Sequence, residues 1–142
     1  MSRNTVQVDL HFEAPSVAEY LKLRHEGGLS AFSEEAAEIG LEGSFFAVTL
    51  RSHGEAIGMG RIVGDGGCFL QIVDVAVDPR YRGNGLGKMI MTALMDHAKK
   101  TLPDTAFLSL LADVPANKLY AQFGFRETAP ASLGMSCRIT QT

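Results

Sequence analysis

Three observations in the sequence predict a mixed α/β fold of the α+β kind, with a central, mainly antiparallel sheet and helices on both faces. First, three runs rich in β-branched and aromatic residues, Phe46 to Leu50, Ala56 to Val63 and Phe69 to Val77, follow one another across links short enough to imply antiparallel hairpins. Second, a long amphipathic helix starting at Leu86 and ending before Pro103 separates the third run from another apolar strand, Ala106 to Leu111. A crossover of that kind makes this last strand pair parallel. Third, no internal repeat, low-complexity tract or Pro/Ser-rich linker divides the 142 residues, so a single domain over 1–142 with one continuous core is expected.

Each element has its own signal. Val6, Val8, Leu10 and Phe12 alternate with polar residues, the period-2 pattern of a half-buried strand over Val6 to Phe12. Pro15-Ser16-Val17-Ala18-Glu19 carries an S-x-x-E capping box, in which Ser16 and Glu19 each satisfy a free backbone amide. A helix should therefore run to about His25 and stop at Gly27-Gly28. Ser33 before Glu34 and Glu35 marks a second helix start, with acids placed against the positive end of the dipole, and Gly43 ends it. Ser52-His53-Gly54 and Gly64-Asp65-Gly66-Gly67 are the turns between the three strands. Leu86, Ile90, Ala93, Leu94 and His97 share one face of the long helix, with Lys99 and Lys100 at its cation-favouring end. Pro115 to Phe123 reads as a short helix ended by Gly124, and Met135 to Thr140 as a final strand, giving the order βααβββαβαβ.

Composition narrows the function. With 46% hydrophobic residues, 20% charged residues and a net charge of -3, the chain lacks the basic excess of a nucleic-acid binder, so no nucleic-acid partner is expected. The opening MSRNTVQVDLHF has no apolar signal region, and no run approaches the roughly 18 apolar residues of a membrane span. A cytoplasmic protein with no membrane association is the expectation. Cys68 and Cys137 are far apart without CxxC spacing, which predicts free, buried thiols. His11, His25, His53 and His97 show no ligand spacing, and no metal is expected.

The stretch VDPRYRGNGLGKMIM, 77–91, places Gly83, Gly85 and Gly87 between a buried strand and a helix. Helix N-termini carry unpaired amides and partial positive charge, so an open turn here would receive an anion, whereas a closed one would only be a tight strand-to-helix link. Walker A fails, because Arg82 stands where its first glycine is needed and Met89 follows Lys88 where a hydroxyl is needed. GxGxxG fails as well: counting from Gly83, the sixth residue is Lys88, and the preceding strands read as antiparallel.

What remains, Arg82-Gly83-Asn84-Gly85-Leu86-Gly87 after Val75, Val77 and Pro79, resembles the acyl-CoA motif of the GNAT superfamily of acyl-CoA-dependent N-acyltransferases. Its strongest part spans Ile72 to Leu94, and ANKLYAQFGF over Ala116 to Phe125 resembles the family's second motif, after its fifth strand. The resemblance covers nearly the whole chain. It implies acetyl-CoA as co-substrate and a splayed parallel strand pair. It further implies that amides of Arg82, Gly83, Asn84, Gly85, Leu86, Gly87 and Lys88 bind the pyrophosphate, and that the backbone of Val75, Ala76 and Val77 pairs with the pantetheine arm. A bulge near Asp74 would help part the strands.

By the same similarity Tyr120 is the general acid that protonates the leaving sulfur, and Asn117 contacts the pantetheine or ribose end; a core tyrosine and a helix-surface asparagine are the plainer readings. Asp74, inside an apolar strand beside the expected acetyl position, is the candidate base, or else a residue that orients a loop or binds the substrate's ammonium. A main-chain N–H near Val75 is the expected donor to the carbonyl oxygen. The acceptor should enter between Leu23 to Ser33 and the C-terminal segment Pro130 to Met135. Glu34, Glu35 and Glu38 with Asp74 hint at a cationic small amine, an arylalkylamine, polyamine or amino acid, although helix-start acids are usually solvated dipole partners. A small-molecule amine is therefore the expected acceptor, with protein acetylation and non-catalytic acyl-CoA binding as alternatives. Homodimerisation is plausible because many relatives pair.

Overall fold

The computed structural model describes residues 6–141. Its elements in order are β1 (Asp9–His11), α1 (Val17–Glu26), α2 (Glu34–Glu42), β2 (Phe46–Ser52), β3 (Glu55–Gly64), β4 (Phe69–Val77), a 3-10 turn (Pro79–Tyr81), α3 (Leu86–Thr101), β5 (Phe107–Ser109) and α4 (Asn117–Ala121). The sheet runs β1-β2-β3-β4-β5, antiparallel throughout except for the parallel β4–β5 pair. This is the mixed α/β arrangement that the hairpin links and the crossover helix predict.

The helix starts follow the sequence closely. At α1 the capping box is complete: the Glu19 amide donates to Ser16 Oγ at 3.1 Å, and the Ser16 amide donates to Glu19 Oε1 at 2.9 Å. Ser33 Oγ caps α2 by accepting from the Ala36 amide at 3.1 Å. Two apolar layers sandwich the sheet. On one side α3 buries Leu86, Ile90, Met91 and Leu94 against Val48, Leu50, Ile62, Leu70 and Ile72. On the other, Tyr20, Leu23 and Ala37 of α1 and α2 pack with Met59 and Ala76. The closeness of α3 has a specific cause at Gly60, where a Cβ would stand 2.5 Å from Ile90 Cγ2. Truncating fully buried Leu94 to alanine should cost about 2–5 kcal/mol.

Several expectations require correction. The strand expected over Met135 to Thr140 does not form; Met135 is 90% and Ile139 81% exposed. A strand needs a neighbouring edge to pair with and a surface to bury against, and this segment reaches neither. β1 is only Asp9–His11 and β5 only Phe107–Ser109, shorter than the alternating or apolar runs containing them, because each is an edge strand with few partner residues. The Pro115 helix likewise narrows to Asn117–Ala121. Cys68 and Cys137 are free but exposed rather than buried, since one lies in the β3–β4 turn region and the other in the irregular C-terminal segment. Among the described residues no helix is long and apolar enough to cross a membrane.

Candidate active site

Strand β4 is where the sheet opens. β4 and β5 pair only over Phe69–Gln71 and Phe107–Ser109, yet β4 continues to Val77, so among the described residues Ile72 to Val77 have no neighbouring strand on that side. Toward β3 the register passes from Arg61 opposite Val73 to Met59 opposite Ala76, leaving Asp74 and Val75 to share Gly60. That two-against-one count is a β-bulge, at the position where the sequence predicts one. Asp74 carries it with φ +61°, a left-handed conformation that aspartate adopts more readily than most residues but at a cost of about 1–2 kcal/mol.

Side-chain contacts hold Asp74 in that conformation. Its carboxylate, 5% exposed, accepts from Arg61 Nε at 2.8 Å, from Tyr20 Oη at 2.9 Å and from Arg24 Nη1. Arg61 in turn donates through Nη1 to Gly40 O and Ser44 Oγ, and Arg24 through Nε to Ser30 O, so the cluster fastens α1, α2 and the 27–33 loop to the bulge. Burial, reinforced by the Asp74 charge, pushes the Tyr20 hydroxyl above its ordinary pKa and keeps it a donor.

Next to this cluster lies a cavity of about 550 Å³. Asp74 and Val75 from β4, Arg24 and Phe32 from the α1 side, and Asp113 and Tyr120 from the α4 side line it. Tyr120 also borders a groove of about 930 Å³ between β5, α4 and residues 126–134, which Asn117 faces. Burial first, and the Asp113 charge second, raise the Tyr120 pKa, so its hydroxyl stays protonated at neutral pH. Asn117 Oδ1 is buried and, among the described residues, accepts no hydrogen bond.

The glycine turn forms a third part of the site. Asp78 is buried, its amide donates to Ile57 O at 2.8 Å, and its Oδ1 accepts from the Arg80 amide at 2.9 Å. The Arg82 amide closes the 3-10 turn onto Pro79 O at 3.3 Å. Beyond it, the amides from Gly83 to Lys88 donate to no acceptor among the described residues, and the N-cap of α3, Gly85, supplies no side-chain hydrogen bond. Gly83 at φ +85° and Gly85 at φ +73° occupy left-handed backbone that costs glycine little, and nothing stands within 4 Å of where their Cβ atoms would be. Gly87 differs: its missing Cβ would meet Leu119 Cδ2 of α4 at 3.3 Å, so it lets α4 sit against the first turn of α3.

Thus Asp74, Val75 and Tyr120 meet at one cavity, and Ala76 and Val77 extend the open edge of β4. Gly83 to Lys88 do not line this cavity, and Asn117 faces the neighbouring groove instead. The acids Glu34, Glu35 and Glu38 lie exposed on α2 and do not line it, and Asp74 is neutralised by two guanidiniums, so the cationic-amine hint loses both its supports. Sequence reasoning passed over Tyr20, Arg24, Arg61, Phe32, Asp113 and Arg138. A usable signal existed for one pair: Arg61 and Asp74 are lone opposite charges in consecutive apolar strands.

Known proteins share this architecture. A probable acetyltransferase from meticillin-resistant Staphylococcus aureus is 42% identical, superposes with a TM-score of 0.90, and the match covers 94% of this chain and all of that one. Glucosamine-6-phosphate N-acetyltransferase from Arabidopsis thaliana shares the fold at TM-score 0.71 with 19% identity, over 94% of this chain and 99% of that one. A histone acetyltransferase from Glycine max, TAP1, is 33% identical over 108 residues, 67% of this chain and 45% of that protein. The chain thus spans less than half the length of the curated relatives it matches. Residues 12–125 match the profile of the Acetyltransferase (GNAT) family, and with the open β4 edge and the uncapped glycine turn in place, the chain belongs to that family.

Proposed function

We propose that this chain, acting as one catalytic domain, transfers an acetyl group from acetyl-CoA to a primary amine of a small molecule by direct attack within a ternary complex. The observation that carries this reading is the convergence of the unpaired half of β4 and the protonated Tyr120 on one cavity. The residues present fit coenzyme A. Unpaired amides at Gly83 to Lys88 suit a pyrophosphate at the positive end of α3, and the buried, unpartnered Asn117 Oδ1 suits a donor from the pantetheine or ribose portion. The open edge of Val75 to Val77 suits the amides of the arm itself. When bound, the thioester supplies the activated acetyl group.

The roles of the side chains follow from their surroundings. The Val75 amide, at the bulge, polarises the carbonyl, and the Tyr120 hydroxyl delivers a proton to the departing sulfur. Asp74 holds the bulge and the acceptor wall rather than taking a proton, since three donors already occupy its two oxygens. Asp113, exposed and with no side-chain hydrogen bond among the described residues, suits proton removal from the incoming ammonium, directly or through water.

The test is acetyl-CoA-dependent thiol release across a panel of amines, with coenzyme A binding measured alongside. Silence across the panel despite tight binding overturns catalysis in favour of an acyl-CoA-binding module. The soybean relative named a histone acetyltransferase favours a second reading, acetylation of protein amines, and turnover of peptides but not of small amines would select it.

A further inference from the structure

The cavity between Asp74 and Tyr120 carries its charge unevenly. We infer that its acceptor is an amine that also bears a carboxylate, as an amino acid does, with the carboxylate received by Arg24 and Arg138 and the amine turned toward Asp113 and Tyr120. This rests on the acetyltransferase reading above and specifies its substrate class.

The basic wall is built rather than incidental. Arg24, 8% exposed, is fixed by Asp74 and by Ser30, whose carbonyl accepts from Nε at 2.9 Å and whose hydroxyl accepts from Nη2 at 3.2 Å. Its Cζ lies 4.4 Å from the Phe32 ring centroid. Arg138, from the far end of the chain, does not itself line the cavity but sits at its rim: it donates to the same Ser30 hydroxyl, and its Cζ lies 5.0 Å from the same Phe32 ring, both of which do line it. Among the described residues no carboxylate lies within ion-pair distance of Arg138. Two guanidiniums therefore converge on one hydroxyl and one aromatic ring, and the only acid beside them, Asp74, is already shared between Arg24 and Arg61. Like charges gathered this way repel each other unless an anion joins them, and guanidinium is the cation whose planar fork matches a carboxylate.

The lining from the α4 side has the reverse sign. Asp113 lines the cavity there, close enough to Tyr120 for its charge to bear on the phenol. An amine without an anionic group would leave the basic wall unanswered, and a polyamine would meet it as a like charge. The cavity, at about 550 Å³, falls within the range of small-ligand sites, roughly 300–1,000 Å³.

The experiment compares leucine with isopentylamine and leucinamide, and phenylalanine with phenethylamine and phenylalaninamide, as acceptors with acetyl-CoA. The amides are the strict control, because their amines are less basic and more of each is free to attack at a given pH. The inference requires kcat/KM for the acids to exceed that of both counterparts by about tenfold or more, as for loss of a charge-assisted hydrogen bond. Arg138→Ala, at an exposed position, should lower kcat/KM for the acids by about that factor, so that their advantage over the amides and the simple amines disappears. Equal rates for acid and amide, or an Arg138→Ala variant that still prefers the acids, overturns the inference with the acetyltransferase reading intact. If no compound releases thiol, that reading fails instead, and calorimetric titration of the coenzyme A-loaded protein with the same compounds still decides this one. Tighter binding of the acids than of the amides upholds it; equal binding, or none by the acids, overturns it.

Discussion

Replacing Asp74 with asparagine separates a structural anchor from a base. Asparagine is nearly isosteric and tolerates left-handed backbone, so at φ +61° the substitution removes the charge without adding backbone strain. What it leaves behind is costly. The Arg24 and Arg61 side chains, each 8% exposed, would lose their common counter-ion, and an asparagine amide would direct donors toward guanidiniums that are themselves only donors. Removing one partner of a buried ion pair typically costs about 3–5 kcal/mol. With an unfolding entropy near 2.1 cal/mol/K per residue, a 142-residue chain loses about 0.3 kcal/mol per degree, so Tm should fall by roughly 10–17 °C. Urea unfolding followed by circular dichroism measures the free energy, and turnover is measured well below the variant's Tm, where it is folded. The anchor assignment requires a large loss of stability and a turnover that largely survives. An Asp74→Asn protein within about 1 kcal/mol of the parent, whose kcat falls by the 10²–10⁴-fold typical of a lost base, would refute it and restore Asp74 as the proton acceptor.

Other substitutions test the remaining parts. Tyr120→Phe should lower kcat by about 10²-fold with little change in acetyl-CoA affinity; because burial raises the phenol's pKa, the parent's alkaline limb should lie above the ordinary tyrosine value near 10, and steady-state rates against pH check both points. Gly85→Val should weaken acetyl-CoA binding by tenfold or more, through left-handed strain and crowding at the amides, whereas Gly87→Val should chiefly lower Tm by pushing Leu119 and α4 away; calorimetry on both variants distinguishes the effects. The Arg51 hydrogen bond, with help from Ser16, lowers the Glu19 pKa from 4.5 to about 2. A depressed carboxylate stabilises the fold above its unfolded pKa, so this contribution is full above about pH 5 and disappears as pH falls through 4.5 toward 2. After a discount for its 29% exposure it amounts to about 1–2 kcal/mol, and Glu19→Gln should flatten that part of the stability–pH curve.

The sequence made legible whatever local chemistry determines. Ser16 and Ser33 cap as their spacing predicts, and the links at residues 53–54 and 65–68 make the hairpins that short turns allow. The glycine turn was also readable, because glycines before a helix can leave its first amides exposed, whereas the bulge at Asp74 was expected only from the family resemblance, which requires the strands to part there. Hidden were the properties that depend on distant partners. Met135 to Thr140 has the composition of a strand but no edge to pair with, and pairing is not a property of the segment. Nothing local says that Arg24, fifty residues before Asp74, neutralises it, or that Arg138 folds back over Ser30 and Phe32. The acids misled for the same reason: Glu34, Glu35 and Glu38 are adjacent to the acceptor loop in sequence but face solvent.

The bulge, the splayed strands and the ion cluster are best understood as one device. A β4 strand paired fully on both edges would bury its amides in ladders and leave none for a ligand. Parting from β5 after Gln71 frees one edge, and the two-against-one count at Asp74 and Val75 turns part of the backbone out of the β3 ladder as well. Both changes sacrifice hydrogen bonds and put a non-glycine residue at positive φ, a local loss that has to be recovered nearby. The recovery comes from Asp74's own side chain, which binds α1 through Tyr20 and Arg24 and reaches α2 through Arg61. Asp74→Asn should therefore loosen more than its own contacts. In hydrogen exchange, the amides of Ala76 and of the α1 C-terminal turn should lose protection together in the variant, while those in the middle of α3, on the opposite face of the sheet, keep theirs. Independent changes at Ala76 and α1 would show that the bulge and the acceptor wall are held separately.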